Sequence, residues 1–131
     1  MTEDDARRWF KEYLDVFESV GRGEHGPEAL LDHYGVPLLI TVKGTFMALT
    51  SADEVVGVMR RQAEELQAAG YGSTAVLNEE ISVLNAASAL YEGTFSRRRT
   101  DNSEINVITA TYLLTDSAVG RRIAAFAVHD N

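Results

Sequence analysis

Near Ser73 the hydrophobic period of this chain changes. Before it, apolar residues recur every three to four positions; after it they alternate at every second residue. The first period buries one stripe of a helix, and the second buries one face of a sheet. Helices in one half and strands in the other imply an α+β fold with the helices packed on an antiparallel sheet. Strands are predicted at about 74–84, 87–99, 104–115 and 121–129. Asn85-Ala86, Asp101-Asn102 and the stretch from Asp116 to Gly120 are their turns, giving a four-stranded meander.

The first helix is predicted from about Asp4 to Val20. Trp9, Phe10, Tyr13, Val16, Phe17 and Val20 form its apolar face. Glu3, Asp4 and Asp5 stand where carboxylates favour the helix dipole, and Gly21 and Gly23 end it. Pro27 opens a short helix to about His33, with Leu30, Leu31 and Tyr34 on its buried side. Val36–Val42 and Thr45–Leu49, joined by Lys43-Gly44, read as a hairpin. Ser51-Ala52-Asp53-Glu54 reads as a capping box, in which Glu54 reaches back to the start of a third helix. That helix buries Val55, Met59, Ala63 and Leu66, and Gly70 stops it. No repeat or linker interrupts the 131 residues, which suit one domain.

A two-residue turn at Asp101-Asn102 sets a register. It places Arg99 opposite Glu104, Arg97 opposite Asn106, Phe95 opposite Ile108, and Tyr91 opposite Tyr112. The face carrying Tyr91, Phe95, Tyr112 and Leu114 holds the larger apolar groups and belongs against the helices. The other face mixes Glu92, Thr94, Thr109 and Thr111 with Leu90, Val107 and Leu113, which suits a partner subunit. A last turn centred between Ser117 and Ala118 would set Ile123 beside Tyr112. It would also gather Arg97, Asn106 and His129 at one end of the concave face; a one-residue slip turns His129 away. A three-residue loop at Asn85 puts Leu77, Glu79, Ile81 and Val83 inward, while the alternative register turns Glu79 to solvent.

The formal charge of −8 argues against nucleic acid and anionic membranes as partners, since phosphate binding needs a basic surface. No apolar run is long enough to span a bilayer. The acidic start lacks the form of a signal peptide and there is no cysteine, so a cytoplasmic protein without disulfides is expected. His25, His33 and His129 lack metal-ligand spacing, and no phosphate-cradling loop appears. Neither a metal nor a cofactor is therefore expected.

The element order, with five landmarks, resembles the NTF2-like (SnoaL-like) superfamily over residues 5 to 129. The landmarks are the aromatic first helix, Leu30-Leu31-Asp32-His33-Tyr34, the capped third helix, Ala89-Leu90-Tyr91-Glu92-Gly93-Thr94-Phe95, and Gly120-Arg121-Arg122-Ile123-Ala124-Ala125-Phe126. The resemblance implies three N-terminal helices on a curved antiparallel sheet, a conical cavity between them, and in many members a homodimer through the sheet. Members include ketosteroid isomerase, scytalone dehydratase, polyketide cyclases and non-catalytic binding domains, so fold alone does not choose a function.

Isomerase chemistry in this family needs a carboxylate base near the first strand, a phenol on the first helix and a protonated acid in an apolar site. Tyr13 matches the phenol. The base position falls at Thr41 or Val42, and neither Val36–Leu49 nor Ile105–Leu114 contains a carboxylate. Dehydratase- or cyclase-type acid/base chemistry would draw on His33, next to Asp32, and on His129. Glu79, if inward, would be a further acid or base; both histidines also suit plain structural roles at element ends. Arg97 could bind a ligand carboxylate at the cavity rim, whereas Arg99 has Glu104 for an ion pair.

Three readings follow. The first is a homodimeric domain binding a small apolar ligand. Its cavity is lined by Trp9, Tyr13 and Phe17 from the first helix, by Tyr34 and Met59, and by Tyr91, Phe95 and Tyr112 from the sheet. The second is a cofactor-independent cyclase, dehydratase or isomerase; the third is a protein-interaction module. The same aromatics could also pack solidly and leave no cavity.

Overall fold

The structure, a computed structural model, describes residues 1–130. The first helix, α1, spans Glu3–Gly21 and begins one residue earlier than its apolar stripe indicates. Thr2 caps it: its hydroxyl accepts the Asp5 amide and the Asp5 carboxylate takes the Thr2 amide, 3.1 Å each. Pro27–Asp32 is a single 3₁₀ segment rather than an α-helix. Two α-helices and this short turn therefore stand where three helices are predicted. The second helix, α2 (Ala52–Ala68), follows Ser51, whose hydroxyl accepts from the Glu54 amide at 3.2 Å. The return bond differs from a capping box, because Glu54 takes the Thr50 amide rather than that of Ser51.

The strands are β1 (Tyr34–Val42), β2 (Thr45–Leu49), β3 (Tyr71–Asn85), β4 (Ser88–Arg99), β5 (Glu104–Ser117) and β6 (Gly120–Val128). They form one six-stranded sheet in the order β2-β1-β6-β5-β4-β3. The hairpin is thus no separate unit. β1 runs parallel to β6, so the long excursion through α2 returns to the far edge at β3. Tyr34, assigned from sequence to the short helix, opens β1.

Helix and sheet meet on the face that carries Tyr91, Phe95, Tyr112 and Leu114, all buried, as the alternation requires. Ala89 and Ala110 on the same face are fully buried. Phe10 lies flat on Tyr91, with centroids 3.7 Å apart and planes 11° from parallel, and meets Tyr112 edge-on at 4.8 Å. Gly93 leaves the room these rings need: a Cβ there would lie 2.9 Å from both Phe95 Cε1 and Tyr91 Cε1.

Three register details depart from the simple alternation. A bulge between Arg97 and Arg98 puts Arg98, not Arg99, opposite Glu104. Arg99 then bonds the Glu104 carbonyl, while the carboxylate accepts from Ser96 Oγ at 2.6 Å, so the expected ion pair is absent. The last turn centres one residue later than predicted, pairing Ser117 with Gly120, and a bulge opposite the Leu113–Leu114 step adds one residue on β6, so Phe126, not Ile123, lies opposite Tyr112. The β3–β4 turn holds two residues, Ala86 and Ala87, and a bulge between Val83 and Asn85 absorbs the odd residue. Glu79 and Ile81 consequently share the helix side, whereas Leu77 and Val83 are exposed.

Candidate functional site

Between α1, α2 and the concave face lies a small solvent-connected cavity of about 40 Å³. Six of the nine residues predicted for such a site line it: Tyr13, Phe17, Tyr34, Phe95, Arg97 and Tyr112. Three do not. Trp9 is half-buried against His33, with ring centroids 5.2 Å apart. Met59 is sealed in the core. Tyr91 lies under Phe10, and its hydroxyl donates to Glu79 Oε2 at 2.6 Å. The lining also includes Leu14, Gln62, Thr74, Ile108, Phe126 and Val128, which sequence reasoning did not assign to it. Leu14 and Gln62 flank the apolar stripes of their helices, so a wider reading of each stripe would have reached them. Phe126 needed the bulge in the β5–β6 ladder.

The polar groups of this space converge from different elements. Tyr13, one α1 turn before Phe17, meets Tyr34 from the start of β1 in a short hydroxyl–hydroxyl hydrogen bond. Tyr112 stands beside them on β5, its ring 6.1 Å from that of Tyr13. Burial in apolar surroundings raises all three phenols above their ordinary range, Tyr112 to about 12. Each is a neutral O–H group at physiological pH. Arg97 opposes that shift at all three, and its guanidinium carbon lies 5.7 Å from the centre of the Phe17 ring.

The other acid/base candidates lie apart from this cluster. Glu79 is inward, but Arg7 Nε holds one carboxylate oxygen at 2.9 Å and Tyr91 the other, which places it at a structural tie between α1 and the sheet. His129 lies on the opposite face: its amide bonds the Thr109 carbonyl, and its Nε2 is 2.8 Å from Thr111 Oγ1 and 3.5 Å from Glu92. The grouping of Arg97, Asn106 and His129 therefore does not form, because the β6 bulge supplies the one-residue slip. His33 is half-buried beside Trp9 and Tyr13. Its Nδ1 is buried without a partner, and desolvation lowers its pKa. Of the two positions expected for an isomerase base, Thr41 is exposed and Val42 half-buried. Among the described residues no His, Cys, Asp and Glu cluster could hold a metal, and no helix is long and apolar enough to cross a membrane.

The fold is shared with solved structures of low sequence identity. An NTF-2 like protein of unknown function from Shewanella oneidensis MR-1 matches with a TM-score of 0.73 and 19% identity, over 99% of this chain and 100% of that one. The yeast UBP3-associated protein BRE5 matches with 0.69 and 12%, over 95% of each chain. The association domain of C. elegans CaMKII matches with 0.68 and 8%, over 98% of this chain and 95% of that one. At such identities the likeness shows the fold alone. No curated protein matches the sequence. The family model described as NTF2-like protein (DUF6841) matches residues 3–131, nearly the whole chain, and the protein belongs to that family.

Proposed function

We propose that the domain binds a small organic ligand in the cavity between α1, α2 and the sheet. The observation that carries this reading is the convergence of Tyr13, Tyr34, Tyr112 and Arg97, with Gln62 and Thr74, on one solvent-connected space whose remaining lining is apolar. Structural aromatics alone need no cation beside them; ligand sites pair an apolar lining with a few placed polar groups. The catalytic reading lacks support of this kind, since no carboxylate or imidazole lines the space. Backbone amide shifts recorded against a fragment set test the proposal. Shifts clustered at Tyr13, Tyr34, Phe95 and Arg97 are expected. Uniformly scattered shifts, or none, would refute it.

Self-association through the outer face of the sheet is a second reading. Leu39, Ala125, Leu113 and Leu90 pair in sequence across β1, β6, β5 and β4, forming one apolar row on that face. Leu39 is exposed and the other three are half-exposed. Such a row, with polar threonines beside it, suits a two-fold interface. Light scattering should report twice the mass of one chain, and Leu113→Glu should return it to monomer. A wild-type chain that stays monomeric at high concentration excludes this reading.

A further inference from the structure

The polar equipment of the cavity is uneven: three phenols, one guanidinium, the Gln62 amide and the Thr74 hydroxyl, with no acidic side chain among the lining residues. The phenol O–H groups are donors, and Tyr13 and Tyr34 share one hydrogen bond between them. The neighbours of Arg97 in sequence are spent locally. Arg98 Nε bonds Ser96 Oγ at 3.2 Å, and Arg99 bonds the carbonyls of Ala69 and Glu104 at 3.0 and 3.1 Å. Arg97 forms no ion pair among the described residues. Glu18, which reaches the same end of α1, gives its carboxylate to the Thr74 amide at 2.9 Å instead. The Phe17 ring lies against the Arg97 guanidinium without using its N–H donors. Arg98 and Arg122 are also half-buried without a carboxylate partner, but each has a hydrogen bond within the protein and Arg97 has none among the described residues. A planar guanidinium with unspent donors matches a planar carboxylate.

Size narrows the class. A cavity of about 40 Å³ has room for roughly three water-sized centres, at ~10–15 Å³ each. A short acid fits and a polycyclic ligand does not. We infer that the cavity takes a small monocarboxylate, its carboxylate paired with Arg97 and its apolar end among Phe95, Ile108 and Phe126. This inference rests on the proposal that the space holds a ligand at all.

Propionate and propionamide, which share a shape and differ in charge, separate the two claims. Each is titrated into the wild-type chain, Arg97→Gln and Arg97→Lys, with backbone amide shifts as the readout. Propionate is expected to saturate shifts at the cavity residues with a dissociation constant at least tenfold below that of propionamide. Arg97→Gln should remove that tenfold preference, and Arg97→Lys should keep part of it. Equal binding of the two compounds by the wild-type chain would overturn the carboxylate assignment and leave a ligand pocket standing. Binding of neither at the cavity would overturn both. The wild-type comparison needs no variant, so misfolding of Arg97→Gln would not shelter the inference.

Discussion

The hydroxyl of Tyr91 donates to Glu79 Oε2 at 2.6 Å, from a ring that is itself buried under Phe10. Arg7 Nε closes the other side of the carboxylate at 2.9 Å, so one acidic residue on β3 fastens α1 to β4. A hydrogen bond to a charged acceptor contributes about 1.5–3 kcal/mol when shielded, and less at a boundary such as this one. Tyr91→Phe should therefore destabilise the fold by about 1–2 kcal/mol. With Glu79→Gln it should show a clear coupling energy in a double-mutant cycle of denaturant midpoints. Additive effects would mean that the bond contributes nothing.

Gly93→Ala should cost about 1–3 kcal/mol, the usual range for overpacking. The added Cβ would lie 2.9 Å from Tyr91 Cε1 and closer still to Phe95 Cζ, and those rings are pinned by Phe10. A thermal midpoint unchanged within error would show that the rings can retreat.

All five tyrosines resist ionisation in the folded chain, chiefly through burial. Tyr71 and Tyr112 are pushed up to about 12, and the others also move upward. In the unfolded chain all five would titrate near 10. Raised folded values leave stability intact below about pH 10 and withdraw it as pH climbs from there through the folded values. Near-ultraviolet absorbance at about pH 10.5 should show little phenolate in native protein and most of the five in denatured protein. A native spectrum matching the denatured one would contradict the buried hydroxyl cluster.

Desolvation lowers the pKa of His33, and Arg122 adds to that, against the opposing charges of Asp32 and Glu12. The native state thus binds the proton less readily than the unfolded chain. The associated stability is full above the ordinary value of 6.5 and declines as pH falls from there through the folded value. His33→Phe, which keeps an aromatic ring against Trp9 and Tyr13, should flatten the part of the stability profile just below pH 6.5 and leave neutral pH little changed. Trp9, the chain's one tryptophan, gives a direct readout: its fluorescence should report a midpoint below 6.5. A midpoint above 6.5 would reverse the assignment.

The α+β class, the two apolar helix faces and the inward side of β4 and β5 are written in local periodicity. Residues such as Phe10, Tyr13, Tyr91 and Phe95 bury because every second or every third-to-fourth position does, and neighbours along the chain suffice to say so. Five of the six lining residues found from sequence lie on those stripes; Tyr34, read onto the short helix, opens β1 instead. Only the tertiary structure decided the rest, because bulges, pairing order and ring packing depend on residues distant in sequence. One extra residue on β6, Ala124, opposite the Leu113–Leu114 step sent His129 to the far face and turned Phe126 to the side of Tyr112. The parallel contact of β1 with β6 merged hairpin and meander into one sheet. Phe10, by filling the space over Tyr91, removed that tyrosine from the cavity and left a chamber far smaller than its aromatic content suggests. Close packing is a property of volumes meeting in three dimensions, and no pattern along the chain carries it.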